Sequence, residues 1–209
     1  MNRFLEQTGV RYPIIQAPMG WIARSQLASA VSNAGALGII ESSSGDTAAC
    51  RAEIEKMSAL TDKPFGVNLA LRFLADDAML RFICDASNVK YVTTSAGSPK
   101  KWIKPLHDAG IVVYHAIGTV DLAMKCIDAG VDGLVVEGAE GGGFKAPEEV
   151  STHVLLQAIR EQTDLPRVAA GGIVDGRGVA AAFAAGGEAV ARGAGGVGLG
   201  LFLVVRRAV

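Results

Sequence analysis

The sequence has few of the residues that mark metal centres, disulfide scaffolds or nucleic-acid binders. Its three cysteines, Cys50, Cys84 and Cys126, stand far apart, and it contains only three histidines. This spacing supports neither a zinc site nor a disulfide framework. Cys84 and Cys126 fall in helix-like contexts that suit small core residues in a reducing compartment. The formal net charge is -1 and like charges never run together, so there is no electrostatic footprint for a nucleic acid or a membrane surface. The first residues, Met1-Asn-Arg-Phe-Leu-Glu-Gln-Thr8, carry charge where a secretory signal needs an apolar core, and a cytoplasmic protein is expected.

What is present points to one folded domain, residues 1–209. A chain of 209 residues with 50% hydrophobic and 20% charged content can bury one substantial core but not two comfortable ones. The 26 glycines exceed the usual share of roughly 7%. They punctuate apolar segments instead of forming a low-complexity tract.

Short β-type runs recur with room for one helix between them: Tyr12 to Ala17, Ala36 to Glu41, Phe65 to Leu71, Tyr91 to Ser95, Ile111 to Ile117, Gly133 to Glu137 and Arg167 to Ala170. Helical patterns fill the gaps, from Ser25 to Ala34, Ala48 to Leu60, Ala78 to Ser87, Lys100 to Ala109, Thr119 to Ala129, Val150 to Gln162 and Gly178 to Ala185. Asn33-Ala-Gly35, Asp108-Ala-Gly110 and Asp128-Ala-Gly130 each put glycine where a left-handed residue ends a helix. This βα repeat predicts an α/β fold, a parallel (β/α)8 TIM-type barrel, with a doubly wound open sheet as the alternative.

In a closed sheet the residues after each strand face one mouth. That mouth would collect Gln16, Pro18, Met19 and Gly20, then Ser42 to Ser44, Asn68, Thr93 to Ser95 with Gly97, His115, Glu137 to Phe144, and Gly171 with Gly172. Neutral hydrogen-bonding groups and glycine dominate, and no carboxylate or histidine clustering calls for a metal. Two glycine clusters end strands, in Glu137-Gly-Ala-Glu-Gly-Gly-Gly143 and in Ala169-Ala-Gly-Gly172. Bare backbone N–H groups of this kind suit a phosphate, and Asp175 is placed to cap a following helix whose positive end would face it. A left-handed turn that binds nothing fits the same glycines. His115, ending the fifth expected strand, is the one histidine with a place at the mouth; its near-neutral pKa would suit acid–base work, and a buried histidine satisfied by a backbone group fits equally.

Pro13-Ile-Ile-Gln-Ala-Pro-Met19, Lys63-Pro-Phe-Gly-Val-Asn68, the Glu137 to Gly143 cluster and Ala169-Ala-Gly-Gly-Ile-Val-Asp-Gly176, in this order and spacing, resemble the nitronate monooxygenase family, once called 2-nitropropane dioxygenases. The flavin-dependent enoyl-thioester reductases share the pattern. The resemblance implies an FMN-binding barrel, with Met19 and Gly20 against the isoalloxazine through their backbone and Asn68 hydrogen-bonded to the ring system. It puts Glu137 at the ribityl or ring region, Gly142 and Gly143 along the flavin, and Gly171 with Gly172 at the phosphate.

The chain departs from the pattern in two places. Many members have Gly-Gly-His where this chain has Gly142-Gly143-Phe144, and phenylalanine handles no proton. Members also complete the phosphate site with Gly and Thr of an eighth strand. Here Ala189-Val-Ala-Arg-Gly-Ala194 matches in frame, offering Gly193 but no threonine, while Gly196-Val-Gly-Leu-Gly200 with Phe202 gives a second alignment. Because the sequence stops at Val209, before the family's eighth helix and capping segment, an incomplete C-terminal end is expected.

Three functions follow from the resemblance. The first is an FMN-dependent oxidation of alkyl nitronates by oxygen, and the second is an NAD(P)H-dependent reduction of an enoyl thioester or similar acceptor. The third is a non-catalytic member that no longer holds FMN tightly. The expected partners are small molecules, with no nucleic acid and no membrane, and an oligomer is compatible with the sequence.

Overall fold

The computed structural model describes residues 2–74, 77–86, 88–142 and 147–193. A short α1 (Arg3–Thr8) leads into β1 (Ile14–Gln16), α2 (Ser25–Asn33), β2 (Gly38–Ile40), α3 (Thr47–Leu60), β3 (Phe65–Ala70) and α4 (Ala78–Asp85). The chain continues through β4 (Val89–Ser95), α5 (Lys100–Asp108), β5 (Val112–Ile117), α6 (Val120–Ala129), β6 (Gly133–Glu137), α7 (Thr152–Arg160), β7 (Arg167–Ala170), α8 (Gly176–Ala184) and β8 (Ala189–Arg192). All strand pairs are parallel, in the order β1-β8-β7-β6-β5-β4-β3-β2. The ring closes at an Ile15–Leu37 bridge, where Gln16 N donates to Leu37 O at 2.9 Å and Leu37 N donates to Ile14 O at 2.9 Å. The sheet is therefore a barrel and not an open doubly wound sheet.

The seven expected strands are present with ends displaced by a few residues, and the eighth, four residues long, follows the in-frame reading Ala189 to Arg192. The downstream alternative at Gly196 to Phe202 lies outside the described residues. Gly35, Gly110 and Gly130 adopt φ of 92°, 71° and 91°, the left-handed conformation expected at those helix ends. Periodicity does not identify α1, which is only six residues long. Its signals are local: Asn2 accepts from Leu5 N at one end, and Gly9 turns left-handed at the other.

Period-2 alternation sorts the strands into two faces. Ile14, Ile40, Val67, Val92, Val113, Leu134, Ala169 and Val190 point out and join the helices in one cluster. Ile15, Ile39, Tyr91, Tyr114, Val135, Val168 and Ala189 point in and meet Phe4 of α1 in another. The Phe4 ring packs edge-on against Tyr91 and Tyr114, each with centroids 6.2 Å away, and the two tyrosines lie 5.1 Å apart. Room for them comes from missing side chains: a Cβ on Gly133 would overlap the Tyr114 ring, and one on Gly66 would lie 2.9 Å from Tyr91 Cδ1. The Tyr114 hydroxyl donates to Gln7 Oε1 at 2.6 Å, and Arg3 pairs with Glu188, so α1 is bound to the floor of the barrel.

Removing the plug is expected to cost stability. Phe4→Ala should lower the free energy of unfolding by about 3–5 kcal/mol, the usual cost of emptying a buried aromatic site. Urea denaturation reads this directly, and an unchanged midpoint would show that α1 does not fill the barrel floor.

Candidate functional site

Above the aromatic floor the inner face becomes small and polar. Its upper positions are Ala116, Ala170 and Ala191 together with Asn68, Thr93 and Glu137, leaving a shallow cup at the carboxyl ends of the strands, where barrel proteins build their sites. Asn68, 3% exposed, donates from Nδ2 to Thr93 Oγ1 at 3.0 Å, to Thr93 O at 3.3 Å and to Ser95 Oγ at 3.4 Å. Its amide is thus oriented by β4, and the carbonyl end remains for a ligand. Glu137 ends β6 on the inner face, and Gly141 folds so closely over it that a Cβ there would overlap the carboxylate.

The β7–α8 turn forms one wall. Gly171 and Gly172 have φ of 101° and 71°, and a Cβ on Gly172 would come within 3.2 Å of Glu140 Cβ. Thr152, buried at the start of α7, ties this wall to the β6 loop. Its N–H donates to Glu140 Oε2 at 2.9 Å, and its one hydroxyl proton is shared among Glu140 Oε2, Ala170 O and Gly171 O. Burial works to raise the Glu140 pKa, but the Thr152 donors outweigh it and hold the carboxyl below its ordinary range. Among the described residues, the backbone N–H groups of Gly172, Ile173 and Gly193 have no hydrogen-bond partner. Asp175 does cap α8, accepting from Arg177 N and Gly178 N at 3.0 Å each. That carboxylate uses first-turn donors of α8, as expected of the cap, and the N–H groups of the glycine turn are the ones left.

At the opposite side, Met19 and Gly20 lie in the β1–α2 loop, and a Cβ on Gly193 would sit 3.9 Å from Met19 Sδ, so the ends of β1 and β8 converge. Gly142 is exposed with open space around its Cα. Gly143 and Phe144 lie outside the described residues.

The structure corrects the placement of His115. Its neighbours Tyr114 and Ala116 point into the barrel, so His115 points out, into the layer between sheet and helices, and is 1% exposed. Its Nδ1 meets Thr94 Oγ1 at 2.7 Å, while the Thr94 hydroxyl donates to Tyr114 O at 3.3 Å, so Nδ1–H can donate to the threonine. Burial lowers its pKa to about 4. It is a satisfied core histidine that takes no part in the mouth. Gln16 likewise points out and braces the ring closure, donating to Ile39 O at 3.2 Å and accepting from Ile39 N at 3.2 Å.

Three residues were not singled out from sequence. Glu41 is fully buried beyond β2, paired with Arg24 at 3.1 Å and accepting from Trp21 N, Ser43 Oγ and Ser44 N. It holds the β1 and β2 loops together, and its only sequence signal is a carboxylate closing the apolar run Gly38-Ile-Ile-Glu41. Thr152 is the second. Arg192 is the third, a charge in the apolar strand Ala189-Val-Ala-Arg192, where it is 3% exposed and its Nη2 donates to Val174 O. Burial depresses its pKa, although arginine stays charged.

Among the described residues there is no group of three or more His, Cys, Asp or Glu that could hold a metal. No helix among them is long and apolar enough to cross a membrane. Two grooves lie at or outside the rim, one of about 530 Å³ between α6 and α7 and one of about 300 Å³ beside Leu71, Gly97 and Trp102. Neither contains the converging residues of the cup.

Comparison with known proteins agrees with this geometry. The family model described as nitronate monooxygenase matches residues 2–81 and 75–195. A Rhodococcus jostii protein named (3aS,4S,5R,7aS)-5-hydroxy-7a-methyl-1-oxo-octahydro-1H-indene-4-carboxyl-CoA dehydrogenase is 40% identical over 189 residues, 90% of this chain and 52% of that protein. The chain thus spans about half the length of that relative. The nitronate monooxygenase of Pseudomonas aeruginosa is 32% identical over 237 residues, covering 92% of this chain and 68% of its own. The structure of FabK from Thermotoga maritima superposes with a TM-score of 0.86 at 39% identity, covering 92% of this chain and 61% of that one.

The outward His115 has a consequence for stability. Its folded pKa is depressed from 6.5 to about 4, so the unfolded chain binds the proton more readily between these values. Its contribution is complete above pH 6.5 and is lost as pH falls toward 4, on the order of 3 kcal/mol over that window. His115→Gln should flatten the unfolding free energy against pH there, and parallel profiles for parent and variant would refute the assignment.

Proposed function

This chain belongs to the nitronate monooxygenase family, and from that premise we propose that it is an FMN-dependent oxidoreductase that oxidises alkyl nitronates with oxygen. The observation that carries the cofactor part is the set of N–H groups with no partner among the described residues, at Gly172 and Ile173 in the β7–α8 turn and at Gly193 just past β8, with two left-handed glycines in that turn. Such a turn fits a phosphate ester. In this reading Gly171, Gly172 and Gly193 hold the phosphate, Met19 and Gly20 support the ring through their backbone, and Asn68 accepts from it. Glu137 and Gly142 line the path between; Gly143 and Phe144 lie outside the described residues.

Bound FMN would supply the electron acceptor. The protein would orient the substrate in a cup whose inner wall is alanine, asparagine and threonine. His115 points away from the cup, and a nitronate, already deprotonated, requires no base. Neutral nitroalkanes, whose carbon proton must be removed, would be poorer substrates.

A second reading is NAD(P)H-dependent chemistry on a thioester. It is favoured by the 40% identity to a protein named as a CoA dehydrogenase, against 32% to a named nitronate monooxygenase. Anaerobic mixing separates the two: rapid flavin reduction by NAD(P)H supports the second, and reduction by an alkyl nitronate supports the first. The third reading, a member that holds no flavin, is supported by the missing threonine after Gly193.

Two results are expected. The purified chain should show a flavin absorption band, and Gly172→Leu, which puts a bulky side chain on a left-handed residue facing Glu140, should abolish FMN retention; equal retention would place the phosphate elsewhere. Phe144→His should raise turnover of neutral nitroalkanes by about a hundredfold to ten-thousandfold, the usual worth of a placed proton-transfer group. Equal gains on preformed nitronates would rule out proton transfer as the cause.

A further inference from the structure

We propose that Arg192 is the cation that binds the cofactor phosphate, taking over from the hydroxyl that the family pattern places after Gly193 and that this chain replaces with Ala194. The assignment rests on the flavin reading above and concerns a residue outside the glycine turn.

The guanidinium of Arg192 is enclosed yet barely used. Nη2 donates to Val174 O, while Nε and Nη1 are buried with no partner among the described residues. A buried cation with unpaired donors is costly, and native structures meet that cost with a counter-ion or a bound group. If the arginine served only to tie β8 to Val174, one donor would suffice and a neutral side chain would do.

Its position specifies the counter-ion. Val174 lies between the Gly171–Gly172 turn and the Asp175 cap, and Arg192 immediately precedes Gly193. The guanidinium is therefore anchored on the carbonyl of the residue that directly follows Ile173, next in the chain to the unpaired N–H groups of Gly172 and Ile173. Asp175 is the nearest candidate carboxylate, but its oxygens are taken by Arg177 N, Gly178 N and Arg177 Nε, and no ion pair joins it to Arg192 among the described residues. A dianion at the turn would otherwise face the carboxylate charge of Asp175 and of Glu140, whose side chain lies against Gly172, with only neutral N–H donors. Arg192 offsets that charge, and a two-nitrogen fork suits phosphate oxygens.

The test compares two flavins that differ only in the phosphate. The full chain and its R192M and R192K variants are titrated with FMN and with riboflavin, following flavin fluorescence at low and high salt, with circular dichroism and thermal unfolding as checks on folding. Methionine fills the volume without charge. R192M should weaken FMN by about tenfold to a hundredfold, as expected for losing hydrogen bonds to a charged group, and change riboflavin by less than about twofold. R192K should keep part of the FMN preference. If R192M does not fold, the parent and R192K decide: FMN affinity should fall with salt while riboflavin affinity does not, and an FMN preference that is absent or insensitive to salt overturns the assignment. Equal losses for both flavins, or an unchanged FMN affinity, would show Arg192 to be a structural tie. A parent that binds neither flavin would instead refute the flavin reading itself, and this assignment with it.

Discussion

The closure of eight parallel strands through the short contact between β1 and β2 is the constraint on which the rest of the molecule depends. Closure turns a sheet face into a fixed interior volume, and what fills the lower part decides what remains at the top. Phe4, Tyr91 and Tyr114 take the floor, and Gly66 and Gly133 make way for them. The upper positions can then be alanine, asparagine and threonine without leaving a void through the barrel. The cup is shallow because the floor is aromatic.

The loops around that cup are held by polar groups more than by packing. Glu41, with no exposed surface, gathers Arg24, Trp21 N, Ser43 and Ser44, so the first two loops move together. Thr152 and Glu140 do the same for the loops after β6 and β7. Removing one member of such a network leaves a buried group unpaired, which usually costs more than the pair contributes. These contacts fix loops of which the two after β6 and β7, with Gly138, Gly141, Gly142, Gly171 and Gly172, have few side chains of their own to pack.

The charge distribution at the β7–β8 edge follows from the same scarcity of side chains. Glycine lets an anion come close but brings no charge, and the Asp175 cap works against an anion. A cation entering from the strand itself meets both conditions. Arg192 can do so because its stem lies in the apolar layer outside the sheet while its head reaches Val174 O.

The fold was largely legible in the sequence, because the features that determine it are local. Strand length, helix period and the glycines at 35, 110 and 130 are read from neighbouring residues, and so is Asp175 as a cap. The order of the glycine motifs likewise pointed to the family. Facing direction was not legible near the strand ends: His115 lies inside β5, where alternation sends it outward, and Gly193 lies just past β8, where closure brings it to Met19. Helix α1 was missed because its worth lies in Phe4 meeting Tyr91 and Tyr114, contacts across about ninety to a hundred and ten positions of chain. The amino-acid sequence by itself determined the βα repeat, the closing glycines and the motif order, since these depend on nearest-neighbour conformational preferences. Only the tertiary structure decided which side chains enter the cup, that Glu41 and Thr152 bind its loops, and that Arg192 is buried with donors to spare, because burial and partnership are set by residues distant in sequence that meet only when the ring closes.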